Sequence, residues 1–150
     1  MAAASDLKPA LDAIVVEYKI ARPASDIRTV YGSTGNLSRQ IEQGAPFDLF
    51  MAADEAFVAM LHRKQLTVDA GAQYAIGRLV LYAPDRGFTV DERLDGLGQA
   101  LAQGRIQRFA IANPEHAPYG RAARQALEAT GLWSSIVPRL VLGENVSQAA

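Results

Sequence analysis

The sequence predicts an α/β protein in which a parallel sheet carries helices on its faces. Apolar runs of strand length alternate with segments of helical periodicity, an alternation typical of βα units. Clusters of small polar residues, glycine and proline separate these segments, as expected of strand-to-helix turns. With 150 residues, 49% of them hydrophobic and 21% charged, the chain is long and apolar enough to form a globular core.

The elements of the first half follow from local signals. Ser5 is a suitable N-cap for a first helix, and Gly44 and Pro46 mark the connection between a second helix and the strand after it. The apolar run at 48–52 predicts a strand that is buried on both faces. The predicted strands are the start of the chain, 27–31, 48–52 and 78–83, and the predicted helices are 6–21, 35–43 and 53–64.

The second half continues the alternation after a connecting segment. Residues 84–95 mix proline, glycine and charges, as connections between lobes often do, so we place a first lobe at 1–83 and a second at 84–150. Two α/β lobes place a ligand in the cleft between them, where the carboxyl ends of the strands meet. The elements predicted in this half are helices at 97–103, 119–130 and 133–137 and strands at 108–112 and 140–142.

A loop of small polar residues precedes the second predicted helix. Ser33, Thr34, Gly35 and Asn36 are residue types that cap helices or form turns. The first N–H groups of a helix lack intrahelical partners, so an oxyanion placed there is stabilised without a lysine or arginine. An ordinary capped helix has the same composition, so the loop alone leaves both interpretations open. Similar helix openings are predicted at 4–6, 117–120 and 144–146, as in any α/β fold.

Composition excludes several classes of function. The formal net charge of −1 provides neither the basic face of a nucleic-acid-binding protein nor a polybasic membrane anchor, and no apolar run reaches the roughly 18 residues of a spanning helix. The chain has no cysteine, so disulfides and thiolate metal sites are excluded. His62 and His116 are a weak basis for a metal site, and Glu115 beside His116 lacks a nucleophile motif. We expect no enzyme activity, metal-ion ligand, nucleic-acid partner or membrane insertion.

Five segments resemble, in the same order, the periplasmic molybdate-binding proteins of ABC transporters. They are AAASDL at 2–7, GSTGNLSRQIEQGAPFDLFMAAD at 32–54, GRLVLYAP at 77–84, ANPEHAPYGRAARQAL at 112–127 and GENVSQA at 143–149. The combination of RQIEQGAP with NPEHAPYG is specific, whereas AAAS alone has no diagnostic value. The resemblance extends over nearly all of the chain.

The resemblance implies a type II periplasmic-binding-protein fold, whose two α/β lobes close on a tetrahedral oxyanion and which is incomplete in this chain. In that family neutral donors hold the anion, without direct metal-ion ligands and without a cofactor. Ser5 matches a hydroxyl after the first strand, and Thr34 matches the hydroxyl of the glycine loop, with Ser33 as its rival. Tyr119 and Val146 match positions that contribute backbone N–H groups.

The implied function is the capture of molybdate or tungstate and its delivery to the permease subunits of an ABC transporter. It implies a periplasmic or lipid-anchored extracytoplasmic location and a monomer when full length. One alternative is a binding protein for another oxyanion, such as sulfate. A second alternative is the effector-sensing domain of a transcription regulator with the same fold.

The ends of the chain predict that the natural protein continues. Residues 1–5 lack the pattern of a signal peptide, and the helix that begins near 144–146 stops after about one turn. A further tyrosine of the family's site falls beyond residue 150. We therefore expect apolar helix faces to be exposed and oxyanion binding by these residues to be weak or absent.

Overall fold

The computed structural model of the protein describes residues 1–84 and 88–150. The strands are β1 (Ala2–Ala4), β2 (Val30–Gly32), β3 (Phe50–Met51), β4 (Phe109–Ala112) and β5 (Leu140–Gly143). The helices are α1 (Lys8–Ala21), α2 (Thr34–Glu42), α3 (Glu55–Arg63), α4 (Asp95–Ala102), α5 (Pro118–Ala129), α6 (Trp133–Ile136) and α7 (Val146–Ala149), with 3₁₀ turns at Ser5–Leu7 and Val137–Arg139. The predicted lobe connection at 84–95 includes residues 85–87, which lie outside the described residues.

The first sheet is parallel and has β1 at its centre, in the order β2-β1-β3. Ala2 pairs with Val30 on one side and with Phe50 on the other. The three alanines of β1 are buried, and their small side chains let α2 pack closely against the strand. Leu37 of α2 and Leu61 of α3 are almost completely buried and supply the larger apolar side chains on this part of the fold.

The strand predicted at 48–52 is shorter and less buried than expected. Only Phe50–Met51 forms β3, both residues are half-buried, and Leu49 is 49% exposed. β3 lies at the edge of the sheet and pairs with β1 alone, so it is not covered in the way a central strand would be. The prediction of burial on both faces was therefore wrong.

The strand predicted at 78–83 is absent. The residues of this segment adopt irregular backbone, and Val80 and Tyr82 are 86% and 74% exposed. A strand is stabilised by ladder hydrogen bonds to a neighbour, and within the described residues neither sheet extends to this segment. An apolar, β-branched sequence is consequently not sufficient to form a strand here.

The second sheet consists of the parallel pair β4 and β5, in which Phe109 pairs with Leu140. Its core cluster is formed by Leu97, Leu101, Leu127 and Ile136 from three helices. Trp133 packs against this cluster, in agreement with a packing role rather than a ligand contact. The helices and strands predicted for this half are confirmed to within one or two residues.

Helix α1 leaves most of its apolar side chains in solvent. Leu11 is its one fully buried residue, whereas Ile14 and Ile20 are 61% and 70% exposed. The expected exposure of apolar helix faces is thus present on α1. Among the residues described, no helix combines the length and apolarity needed to cross a membrane.

Candidate functional site

The carboxyl ends of the first sheet's strands carry small polar residues. Because the three strands are parallel, the residues that follow them meet at one edge of the sheet. Ser5 follows β1 and Ser33 follows β2, directly after the paired residues Ala4 and Gly32. Ser5, Ser33 and Thr34 are all buried, with 6%, 5% and 1% of their surface exposed. Three hydroxyl groups are therefore collected in a protected position.

The opening of α2 is held by contacts within the protein. Ser33 is the N-cap, and its Oγ accepts a hydrogen bond of 3.4 Å from the amide of Asn36. The amide of Gly35 donates to the backbone oxygen of His116 at 2.9 Å. These two amides already have protein acceptors, so they are poor candidates for the anion donors that the sequence suggested at this helix opening.

Thr34 differs from Ser33 in what its hydroxyl can still do. Its Oγ1 accepts a hydrogen bond of 3.0 Å from the amide of Ala53, just after β3. The hydroxyl hydrogen takes no part in that bond and can donate to another acceptor. The Ser33 Oγ has two protein neighbours, the Asn36 amide and the Nδ1 of His116 at 3.0 Å. The Thr34 hydrogen is therefore able to donate, whereas the Ser33 hydrogen is available only in the His116 tautomer that donates from Nδ1.

The second sheet brings its own helix openings to this edge. Tyr119 lies in the first turn of α5, and Val146 is the first residue of α7 behind the N-cap Asn145. The Oγ of Ser147 donates to the backbone oxygen of Ser5 at 3.2 Å, which places the start of α7 against the end of β1. Tyr119 and Val146 therefore lie on elements that contact the edge formed by the three hydroxyls.

The start of α5 and the loop before it contact the residues that follow each strand of the first sheet. After β1, the hydroxyl of Tyr119 donates to Asp6 at 3.0 Å. After β2, His116 contacts the α2 opening, and after β3, the Nη2 of Arg121 lies 2.6 Å from the Oδ2 of Asp54. This one segment of the second half thus spans the whole carboxyl edge of the first sheet.

The phenol of Tyr119 is held in its neutral form. Burial is the main cause that raises its pKa to about 12, and the neighbouring Asp6 carboxylate adds to the effect. Burial also raises the pKa of Tyr74, whose hydroxyl donates to the backbone oxygen of Ala52 at 2.6 Å. Gly77 packs against the Tyr119 ring, where a Cβ would collide with the hydroxyl. Both phenols donate hydrogen bonds beside the site.

Sequence reasoning missed the part that His116 plays. Its Nε2 lies 3.6 Å from the Oε2 of Glu144 and its Nδ1 contacts Ser33, so the ring bridges loops of the two sheets. Ser33 and His116 are 83 positions apart, and no local pattern links them. Within residues 1–84 and 88–150, no cluster of three or more histidine, aspartate or glutamate side chains is arranged to hold a metal ion.

The comparisons with known proteins agree on one family. Residues 1–150 match the family described as bacterial extracellular solute-binding proteins. The chain is 39% identical over 123 residues to the molybdate-binding protein ModA of Azotobacter vinelandii, covering 81% of this chain and 46% of that protein. It is 34% identical over 152 residues to ModA of Escherichia coli strain K12, covering 98% and 57%. The chain spans about half the length of the curated relatives it matches.

A solved structure shares the fold described above. The periplasmic molybdate-binding protein of Azotobacter vinelandii superposes with a TM-score of 0.85 at 30% identity, over 99% of this chain and 63% of that one. The α/β fold of type II periplasmic-binding proteins, expected from the resemblance, is confirmed. The chain belongs to the family of bacterial extracellular solute-binding proteins.

Proposed function

We propose that this protein captures molybdate or tungstate with neutral hydrogen-bond donors and takes part in their ABC-type import. The observation that carries the proposal is the buried Thr34 hydroxyl, whose oxygen accepts from Ala53 and whose hydrogen remains able to donate. Ser5 lies at the end of the neighbouring strand and supplies a second hydroxyl. The relatives named molybdate-binding proteins support this choice of ligand.

The protein groups proposed to bind the anion suit a doubly charged tetrahedral oxyanion. Hydrogen bonds to a charged acceptor contribute about 1.5–3 kcal/mol each, so a few neutral donors are sufficient. Backbone N–H groups of Tyr119 and Val146 complete the set, and the positive N-terminal end of α5 stabilises the negative charge of the anion. A rigid set of hydroxyls and amides selects by anion radius. Molybdate and tungstate, which are nearly equal in size, should bind alike, whereas the smaller sulfate and phosphate should bind less well.

Binding without catalysis is the proposed task. Lobes at 1–83 and 84–150 would close on the oxyanion, which favours the closed state because it contacts donors from both lobes. The permease would then recognise the closed form outside the cytoplasm. In this proposal the oxyanion is a transported ligand and undergoes no reaction.

The test is a titration with oxyanions that is monitored by nuclear magnetic resonance, because this method detects binding with dissociation constants as weak as millimolar. Molybdate and tungstate should shift the amide signals of Thr34, Tyr119 and Val146, with smaller or no shifts from sulfate and phosphate. Equal responses to sulfate would assign the protein to another oxyanion. The proposed function requires weak binding rather than none, so the absence of any response to millimolar molybdate would reject the function for these residues.

A matched pair of variants tests the carrying observation. Thr34→Val removes the proposed donor and should weaken molybdate binding by about ten- to hundredfold, the loss of one charge-assisted hydrogen bond. Ser38→Ala is the control, because Ser38 is equally buried in α2 but donates to the backbone oxygen of Gly35. If both variants weakened molybdate binding equally, the cause would be a disturbed fold rather than the loss of a hydrogen-bond donor to the anion.

A further inference from the structure

We propose that Arg121, Asp54 and Phe57 form a clasp between the two lobes that sets the population of the closed conformation. Arg121 is then a positioning residue for the oxyanion site rather than one of its ligands. The closed conformation and the effect on oxyanion affinity rest on the proposed function, whereas the effect on the distance between α3 and α5 is measured without any oxyanion.

The clasp joins elements from the two halves of the chain. The Nη2 of Arg121, in α5, lies 2.6 Å from the Oδ2 of Asp54, the N-cap of α3. The guanidinium carbon of Arg121 also lies 4.9 Å from the centre of the Phe57 ring. The two side chains of the ion pair are 42% and 29% exposed, so solvent weakens the pair without removing it. A planar guanidinium can pair with a carboxylate and stack on a ring at the same time.

The two carboxylate oxygens of Asp54 have separate partners. Oδ1 accepts a hydrogen bond of 2.8 Å from the amide of Ala56 and caps α3, whereas Oδ2 receives Arg121. An asparagine at position 54 can keep the capping oxygen and lose the charge that binds Arg121. Asp54→Asn therefore removes the ion pair of the clasp while it retains the N-cap of α3.

The position of Arg121 connects the clasp to the site. Arg121 lies two residues after Tyr119, in the first turn of α5, where the Tyr119 hydroxyl is anchored on Asp6. Contacts at both residues fix the direction in which this turn faces the strand ends. Loss of Arg121 leaves the Tyr119 and His116 contacts in place, so we expect a wider range of lobe positions rather than complete opening.

Arg124 provides a matched control on the same helix. It pairs with Glu128 at 2.8 Å and lies 5.3 Å from the centre of the Trp133 ring. Its exposure, 49%, is close to the 42% of Arg121. Arg124 therefore has the same two kinds of contact, but both partners belong to its own half of the chain.

The first measurement is a distance distribution by double electron–electron resonance. The chain has no cysteine, so spin labels can be attached through Arg63→Cys on α3 and Ala129→Cys on α5, both at exposed positions. Arg121→Gln and Asp54→Asn should each broaden the distribution towards longer distances. Arg124→Gln should leave it unchanged. The double variant that combines Arg121→Gln with Asp54→Asn should have the same distribution as Arg121→Gln alone, because the second substitution removes an interaction that is already lost.

Identical distributions for wild type, Arg121→Gln and Asp54→Asn would overturn the clasp. If Arg121→Gln does not fold, Asp54→Asn decides the question, since it retains the cap of α3. The nuclear magnetic resonance titration with molybdate should give about fivefold weaker binding for Arg121→Gln and no change for Arg124→Gln, in line with one partly exposed ion pair and one ring contact. If no variant binds molybdate, the oxyanion function fails, and the distances alone decide the clasp.

Discussion

The amide of Gly35 donates to the backbone oxygen of His116 at 2.9 Å, and a Cβ on residue 35 would lie 2.5 Å from that oxygen. A side chain at this position would also meet the His116 backbone carbons at 3.0 and 3.1 Å. The contact joins the opening of α2 to the loop before α5. Close approach of the two halves at this point therefore requires a glycine at position 35.

Gly35→Ala should destabilise the protein by about 1–3 kcal/mol, because backbone atoms of His116 have to move. Urea denaturation measures the change. Gly98→Ala in α4 is the control, since its Cβ would meet only the Cδ2 of the Leu132 side chain, at an ordinary contact distance of 3.4 Å. That variant should be neutral or up to about 1 kcal/mol more stable from helix propensity. Equal stability of Gly35→Ala and wild type would contradict the close approach.

Because of Tyr119, the free energy of unfolding should fall as the pH rises into the alkaline range. Its pKa is raised from 10.0 to about 12, chiefly by burial, so the folded state favours the neutral phenol. The stabilising contribution is complete below pH 10 and is lost as the pH rises towards 12. Urea denaturation across this range should show a steeper loss for wild type than for Tyr119→Phe. Parallel losses would show that the phenol titrates as it does in the unfolded chain.

Leu97→Ala should lower the free energy of unfolding by about 2–5 kcal/mol, because it leaves a cavity in the core cluster of the second sheet. Val80→Ala serves as its control and should change stability by no more than about 0.5 kcal/mol, since Val80 is 86% exposed. Thermal or urea denaturation compares them. A large effect of Val80→Ala would show that residue 80 is buried in solution.

Residues 78–83 should exchange their amide hydrogens quickly, whereas those of β4 should be protected. The segment belongs to neither sheet, and β4 is paired with β5 along its length. Hydrogen–deuterium exchange with mass spectrometry provides the comparison. Protection at 78–83 equal to that of β4 would restore the strand that the sequence predicted there.

The helices were predictable because their signals are local. The small polar residues before α2 and the periodic apolar residues place α2 and α3 within two residues of their observed limits, although the structure begins α3 after the N-cap Asp54 rather than at residue 53. The alternation of strand and helix was sufficient to predict a parallel sheet. The prediction of a strand at 78–83 was wrong because a strand depends on a neighbouring strand that its own residues do not specify.

The sequence by itself determined the α/β fold class, most helix limits and, through family resemblance, the residues proposed for an oxyanion site. Only the tertiary structure decided that the amide of Ala53 donates to the Thr34 hydroxyl, since the strands before these two residues lie on opposite sides of β1 in one sheet. The contacts of Gly35 with His116 and of Asp54 with Arg121 are likewise visible only in the tertiary structure. Local propensity acts over a few residues, whereas these contacts join positions that are far apart in the sequence and meet only in the folded chain.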